Sequence, residues 1–358
     1  MTARRHVRIA VAIGFALLAR GASAAEIPCG ALAPARHAAV RRGTAYLKIF
    51  FEGEERRAAL GADAVSIFLE LGETAADAKL RDVALREARR LAAPLARAYA
   101  KPGGLAAREN LMGALSLLPD SGPLHLSKKS SLRLLSSVRS RLTGRDADEA
   151  YYGARIDASR LDTLDTLDGD ALFDLLIAAY TVERARLAFP ALPAPGVGLG
   201  DVLRLVLARP YASFDAGDDE RAGDDLYLAT HVAYVLSDYS RIRLEPASLG
   251  AILPYLRAQI PHVLAARDTE AGAEIADVLR QTGEGDADAD VCRLARLLLE
   301  TQQSDGSWPR PDAEDAYDTV HPTWVGVHSL RERTFRPGRA WAERMRALLA
   351  APPAARVP

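Results

Sequence analysis

The chain is short of several things, and each shortage closes off a class of protein. It has only two cysteines, Cys29 and Cys292, so at most one internal disulfide can form. Aromatic residues make up 6% of the 358 residues and β-branched runs are scarce, which argues against a fold built on long strands. After the first 24 residues no apolar stretch is long enough to cross a bilayer. There is no Gly-x-Ser-x-Gly nucleophile turn, no phosphate-cradling glycine loop and no dinucleotide fingerprint. An excess of positive charge is missing too: 46 lysines and arginines face 47 acids.

What is present points to helices and to export. Alanine, leucine and arginine dominate, all strong helix formers. Residues 1–24 read as a signal peptide. Arg4, Arg5 and Arg8 form a basic start, Ile9 to Leu18 an apolar stretch, and Ala22-Ser23-Ala24 a small-residue cleavage site. Cleavage there predicts a periplasmic or secreted chain with no integral membrane segment. It would carry 42 basic and 47 acidic residues, a net charge of −5 that does not suit nucleic acid. Residues 25–358 are expected to form one domain. In an oxidising compartment Cys29 and Cys292 would either pair or remain two free thiols, and the sequence leaves both open.

Amphipathic periodicity predicts a first helix at 34–51 and twelve more runs from 56–71 to 338–350. Twelve helices make six hairpins, which close naturally into an all-α, (α/α)6 toroid in which each hairpin covers its neighbour's apolar face. Two stretches interrupt the pattern. The polar segment 143–166 is long enough to be a functional loop or flap, and 189–200 is a proline- and glycine-rich connector.

One segment carries a more specific signal. Gln302, Asp305-Gly306, Ser307 and Trp308 follow the helical run 288–303, with His321-Pro322-Thr323-Trp324 beyond. Trp308 is expected to fold back on the helix it follows, Gly306 to supply the turn, and Gln302 to bond groups that the helix end leaves unpaired. Pro309 and Pro311 would keep the chain extended before the next helix. Gln-x-x-Asp-Gly-Ser-Trp resembles the repeated Gln–Trp motif of terpenoid cyclases and of protein prenyltransferase β subunits. The close resemblance covers about residues 286–331, and it implies a toroid of alternating inner and outer helices. The helix bearing His321, Thr323 and Leu330 is similar to the prenyltransferase inner helix that carries a zinc-binding histidine. Here, however, Asp290 and Cys292 open the outer helix directly before the Trp motif, one helix away from the family's register. The protonating Asp-x-Asp-Asp motif of proton-initiated cyclases is absent.

Candidate chemistry lies on polar stripes within apolar helices. Tyr227, His231, Tyr234 and Asp238 recur at four, three and four residues on 222–239. Tyr317, His321, Trp324 and His328 repeat that spacing on 315–331, so each set forms one helix face. Glu270, Glu274 and Asp277 make an acidic stripe on 268–282, and Asp174 lies on 168–187. Inward-facing stripes of this kind would line a central cavity. His231, His321 and Glu270 would then be the ligands of a divalent metal. Asp174, Tyr234, Asp238, Glu274 and Asp277 would be acid/base groups, and Tyr227, Tyr317, Trp324 and His328 would hold the substrate. The bland alternative makes these satisfied structural groups, with Pro322 opening its helix and His321 acting as a cap. Three functions stay open: an exported enzyme of metal-assisted or acid/base chemistry, a glycan hydrolase or lyase, and a non-catalytic toroid that binds a small molecule, peptide or partner protein.

Overall fold

Aspartate and serine caps mark out the helices of this protein. Asp77, Ser127, Asp146, Asp168, Asp218, Asp268, Asp288 and Asp315 each accept a backbone N–H in the first turn that follows. Each cap contributes about 1 kcal/mol to a helix start that would otherwise leave donors unpaired. The computed structural model describes residues 28–350 except 157–167, 215–216, 309, 311–312 and 337. The expected leader, Pro309, Pro311, most of the polar segment after Ile156 and the tail after Ala350 lie outside the described residues.

Among the described residues there are fifteen α-helices and no strand. They are α1 (Ala33–Phe50), α2 (Glu54–Leu60), α3 (Asp63–Thr74), α4 (Ala78–Tyr99), α5 (Arg108–Leu117), α6 (Lys128–Leu142) and α7 (Ala147–Tyr152). Then come α8 (Gly169–Ala188), α9 (Leu199–Ala208), α10 (Asp219–Leu236), α11 (Ile252–Ala266) and α12 (Thr269–Gln281). The last three are α13 (Ala289–Thr301), α14 (Ala316–Leu330) and α15 (Arg339–Ala350).

Three expectations need correction. The run 56–71 is two helices, broken at Gly61-Ala62. Helix 222–239 stops at Leu236, where Asp238, Tyr239 and Ser240 take three consecutive left-handed conformations (φ +51°, +53° and +64°). The polar segment opens with α7, whose tyrosines are tied down: Tyr151 donates to the Pro193 carbonyl (3.1 Å) and Tyr152 to that of Val197 (2.7 Å). That part anchors the 189–200 connector and is no flap.

Among the helix pairs that pack together are α5 with α8, α8 with α10, α10 with α12, α12 with α14, and α14 with α1 and α2. Ala76 N–H donates to the Glu332 carbonyl (2.8 Å) and Thr334 N–H to that of Thr74 (2.7 Å), so the end of α3 pairs with the segment after α14. Cys29 and Cys292 form a disulfide that joins the N-terminal segment to α13. A bridge spanning so much chain contributes roughly 2–5 kcal/mol.

The Trp motif does its expected work at the helix end and more besides. Trp308 is fully buried, and its indole N–H donates to the Leu298 carbonyl in the last turn of α13 (2.7 Å). Its backbone N–H donates to Thr323 Oγ1 (2.9 Å), which fixes α14. A Cβ at Gly43 or at Gly326 would lie 2.9 Å from the indole, so only glycine lets α1 and α14 close on the ring. Gly306 takes φ +94° to make the turn. Gln302 departs from expectation: it donates to the Ala39 carbonyl of α1 and to that of Gly306 (both 2.9 Å), stitching two helices together.

Candidate active site

A cavity of about 460 Å³ opens among these helices, and eight of them supply its walls, α2 through Ala58, Ala59 and Leu60 and α4 through Tyr99 among them. Glu70 comes from α3, Met112 and Ser116 from α5, and Phe173, Asp174 and Ile177 from α8. His231 and Tyr234 come from α10, Glu274 and Asp277 from α12, and Tyr317, His321, Trp324 and His328 from α14. Tyr239 and Ser240 enter from the left-handed turn after α10.

The two histidines singled out by the stripes do converge, on either side of one carboxyl group. His321 Nε2 lies 3.8 Å from Glu274 Oε1, and His231 Nδ1 lies 3.9 Å from Glu274 Oε2. His321 Nδ1 is held by Glu270 Oε1 at 2.8 Å, which fixes the ring and leaves Nε2 turned toward Glu274. Pro322 sits inside α14 rather than at its start, so His321 is a mid-helix residue aimed inward and not a cap. His231 Nδ1 donates to the Tyr227 carbonyl one turn back (2.8 Å). Aromatic rings frame both: Phe173 meets His231 edge-on, Tyr317 stacks on His321, and Trp324 meets His321 edge-on. The Tyr227 and Tyr317 hydroxyls lie 3.1 Å apart and link α10 to α14.

Glu274 is pushed toward its protonated form. Burial pushes its carboxyl well above the usual range, and the neighbouring Glu270 charge pushes it the same way. Hydrogen counting agrees. Thr230 Oγ1 lies 2.5 Å from Glu274 Oε2 and 2.8 Å from the Tyr227 carbonyl, and a hydroxyl has one proton for two acceptors. Both contacts are satisfied together when Glu274 donates to Thr230 and Thr230 donates to Tyr227. Glu274 Oε1 is buried and has no hydrogen-bond partner among the described residues. Glu270 behaves oppositely. Burial alone would raise its carboxyl, but His321, and then Arg310, outweigh burial and lower it.

Other expected residues are placed differently. Asp238 was expected to continue the α10 stripe, but the helix has ended. Its carboxylate accepts from Tyr180 (2.7 Å) and pairs with Arg184 (2.9 Å), outside the cavity wall. Asp277 lines the cavity as an ion-paired carboxylate, bound by Arg331 (3.2 Å) and by Arg333, with Ser240 (2.9 Å) and Gln281 (2.8 Å) donating to it. Against burial, the two guanidiniums bring it down to about 2, which suits a structural anchor and not an acid catalyst. Asp174 stands exposed at the rim. The metal set of His231, His321 and Glu270 is not assembled: among the described residues no three His, Cys, Asp or Glu side chains converge as a metal requires. Cys292 is committed to the disulfide, and Asp288 caps α13.

Glu70, Phe173, Thr230 and Tyr239 escaped the sequence reading. Glu70 left a trace, as a single acid within the apolar run Val65 to Leu71. Searches against protein-family models, curated proteins and solved structures find no match to this chain.

Proposed function

We propose that this protein is an exported enzyme that binds an uncharged small molecule in the cavity and moves protons with Glu274 and His321. The observation that carries the reading is the line Glu270–His321–Glu274. A carboxylate fixes one imidazole nitrogen at 2.8 Å, and the other nitrogen faces a buried, protonated carboxyl at 3.8 Å. That gap is too long for a direct hydrogen bond, whereas a substrate oxygen about 2.8 Å from each would bridge it. With the Nδ1 proton given to Glu270, His321 Nε2 offers a lone pair to accept a proton. Turning the Thr230 hydroxyl from Tyr227 to Glu274 Oε2 leaves the acid proton on Oε1, where it is available to donate. Tyr227 keeps its bond from His231 in that arrangement. The residues therefore provide a general base and a general acid a few ångströms apart, beside aromatic rings that exclude water.

The architecture belongs to the same proposal. Helices α3, α5, α8, α10, α12 and α14 would be the inner ring of an (α/α)6 toroid, with the junction after α14 closing it against α3. All six line one cavity, which supports this, and α2 and α4 reach it as well. The Cys29–Cys292 bridge supports export, because such bonds persist in oxidising compartments. The alternative of a non-catalytic binder is separated from this reading by one experiment. Purified wild type, Glu274→Gln and His321→Ala would be incubated with a mixture of uncharged metabolites and oligosaccharides, and the products compared by mass spectrometry. A compound changed by the wild type and by neither variant is the expected result. A compound bound but returned unchanged by all three proteins would overturn the enzyme reading in favour of a binding protein.

A further inference from the structure

His321 is one of two histidines on the inner face of α14. His328 follows seven residues later, two turns or about 10 Å along the axis, with Trp324 between them. Its Nε2 lies 3.1 Å from the Ile67 carbonyl, which only accepts, so Nε2 carries the proton and Nδ1 presents a lone pair. That lone pair lies 3.8 Å from Glu70 Oε2. Both residues line the cavity. Among the described residues no hydrogen bond holds the Glu70 side chain, although Glu70 is 6% exposed. The pattern repeats the His321–Glu274 geometry with an acid from a different helix.

We propose that Glu70 and His328 form a second proton-exchanging couple at the far end of the same cavity. It extends the reading given for Glu274 and His321 and adds a specificity: a ligand that meets both couples is uncharged, spans about 10 Å along α14 and carries a hydrogen-bonding group at each end. Arg241 beyond α10, Arg331 beyond α14 and Arg184 of α8 pull its carboxyl toward ionisation, and Asp238 opposes them. Burial exceeds all of these and raises the carboxyl to about 8. His328 is held neutral, first by burial and then by Arg331.

Ethyl diazoacetate tests this on the whole protein, because it esterifies carboxylic acids and spares carboxylates. The acid proton moves to the diazo carbon, dinitrogen leaves, and the carboxyl oxygen bonds to that carbon. At pH 7 a carboxyl titrating near 8 is about nine-tenths protonated and an ordinary glutamate well under 1%. The Glu70 peptide should therefore be esterified roughly a hundredfold faster than surface sites, and the label should fall as pH rises past 8. Glu70→Gln should lose that label and keep the one on Glu274. Unlabelled Glu70 in folded protein overturns the proposal. Unlabelled Glu274 beside labelled Glu70 overturns the earlier reading alone, since the two sites fall on different peptides. Side-chain nitrogen spectra give the second measurement: His328 should show a neutral Nε2–H tautomer at pH 7, and an imidazolium or an Nδ1–H tautomer would sink the couple.

Discussion

Buried acids occur in two neighbouring regions of this protein, and the two groups are treated in opposite ways. Behind the cavity, Asp120 receives two parallel bonds from Arg184 (both 3.0 Å), and Asp238 lies between Arg184 and Arg241. Glu73 is shared by Arg241 and Arg336 (both 2.6 Å). Against burial, these guanidiniums keep Asp120 below the usual carboxylate range, as Arg333 and Arg331 keep Asp277. In the cavity, Glu70 and Glu274 are also buried, yet among the described residues no guanidinium bonds to either, and both are raised. Burial alone therefore does not mark a functional acid. Burial without a matching cation favours the protonated acid, which is the state the proposed chemistry requires.

Breaking the matched side should have the largest effect. Arg241 pairs with Glu73 and also donates to the Asp238 carbonyl at 2.9 Å. That bond helps hold three left-handed residues, each of which costs roughly 1–2 kcal/mol on its own. Arg241→Leu should lower unfolding free energy by about 3–5 kcal/mol in urea, because it strands buried carboxylates. A loss below about 1 kcal/mol would show that the network is decoration and would remove the contrast.

Matched and unmatched acids should also leave opposite limbs in a stability–pH curve. Glu70 titrates near 4.5 when unfolded and at about 8 when folded. Its stabilising contribution is complete below about 4.5 and is lost as pH rises through 8. Glu70→Gln should flatten that alkaline limb, whose height is on the order of a few kcal/mol. Asp277 runs the other way. Folded at about 2 and unfolded near 3.8, it contributes stability above about 4 that is lost as pH falls to 2, about 2 kcal/mol in all. Asp277→Asn should flatten the acid limb, whatever its stability at neutral pH. Two variants that leave both limbs unchanged would refute the assignment of matched and unmatched acids.

How much of this was legible depended on range. Apolar periodicity is local, and it located most helices; caps such as Asp268, Asp288 and Asp315 are local too and stand at the observed starts. The stripes on α10, α12 and α14 were legible because His231, Glu274 and His321 stand out against alanine, valine and leucine at three- and four-residue spacing. Asp238 misled because the chain leaves the helix at Ser237 through a left-handed run with no glycine to announce it. Which arginine meets which acid was not legible, since Arg241 and Glu73 are 168 residues apart in sequence. The same holds for Cys29 and Cys292, whose composition allowed a bridge without requiring one.

The smallest stability change sharpens the comparison most. Glu274→Gln preserves shape and, if Glu274 is neutral, preserves charge as well. The new amide N–H donates to Thr230 Oγ1 as the acid O–H does, Thr230 still donates to Tyr227, and the amide oxygen takes the place of Oε1 facing His321. No buried group loses a partner, so unfolding free energy at pH 7 should move by less than about 1 kcal/mol. The amide has no proton to give, however, so esterification at position 274 and turnover should both vanish. A loss of several kcal/mol would mean that Glu274 is an ionised member of the structural network, bound to cations as Asp277 is. The quantity to compare is therefore the ratio of lost function to lost stability: very large at Glu274, and close to one at Arg241, where function should fall only as fast as the fold does.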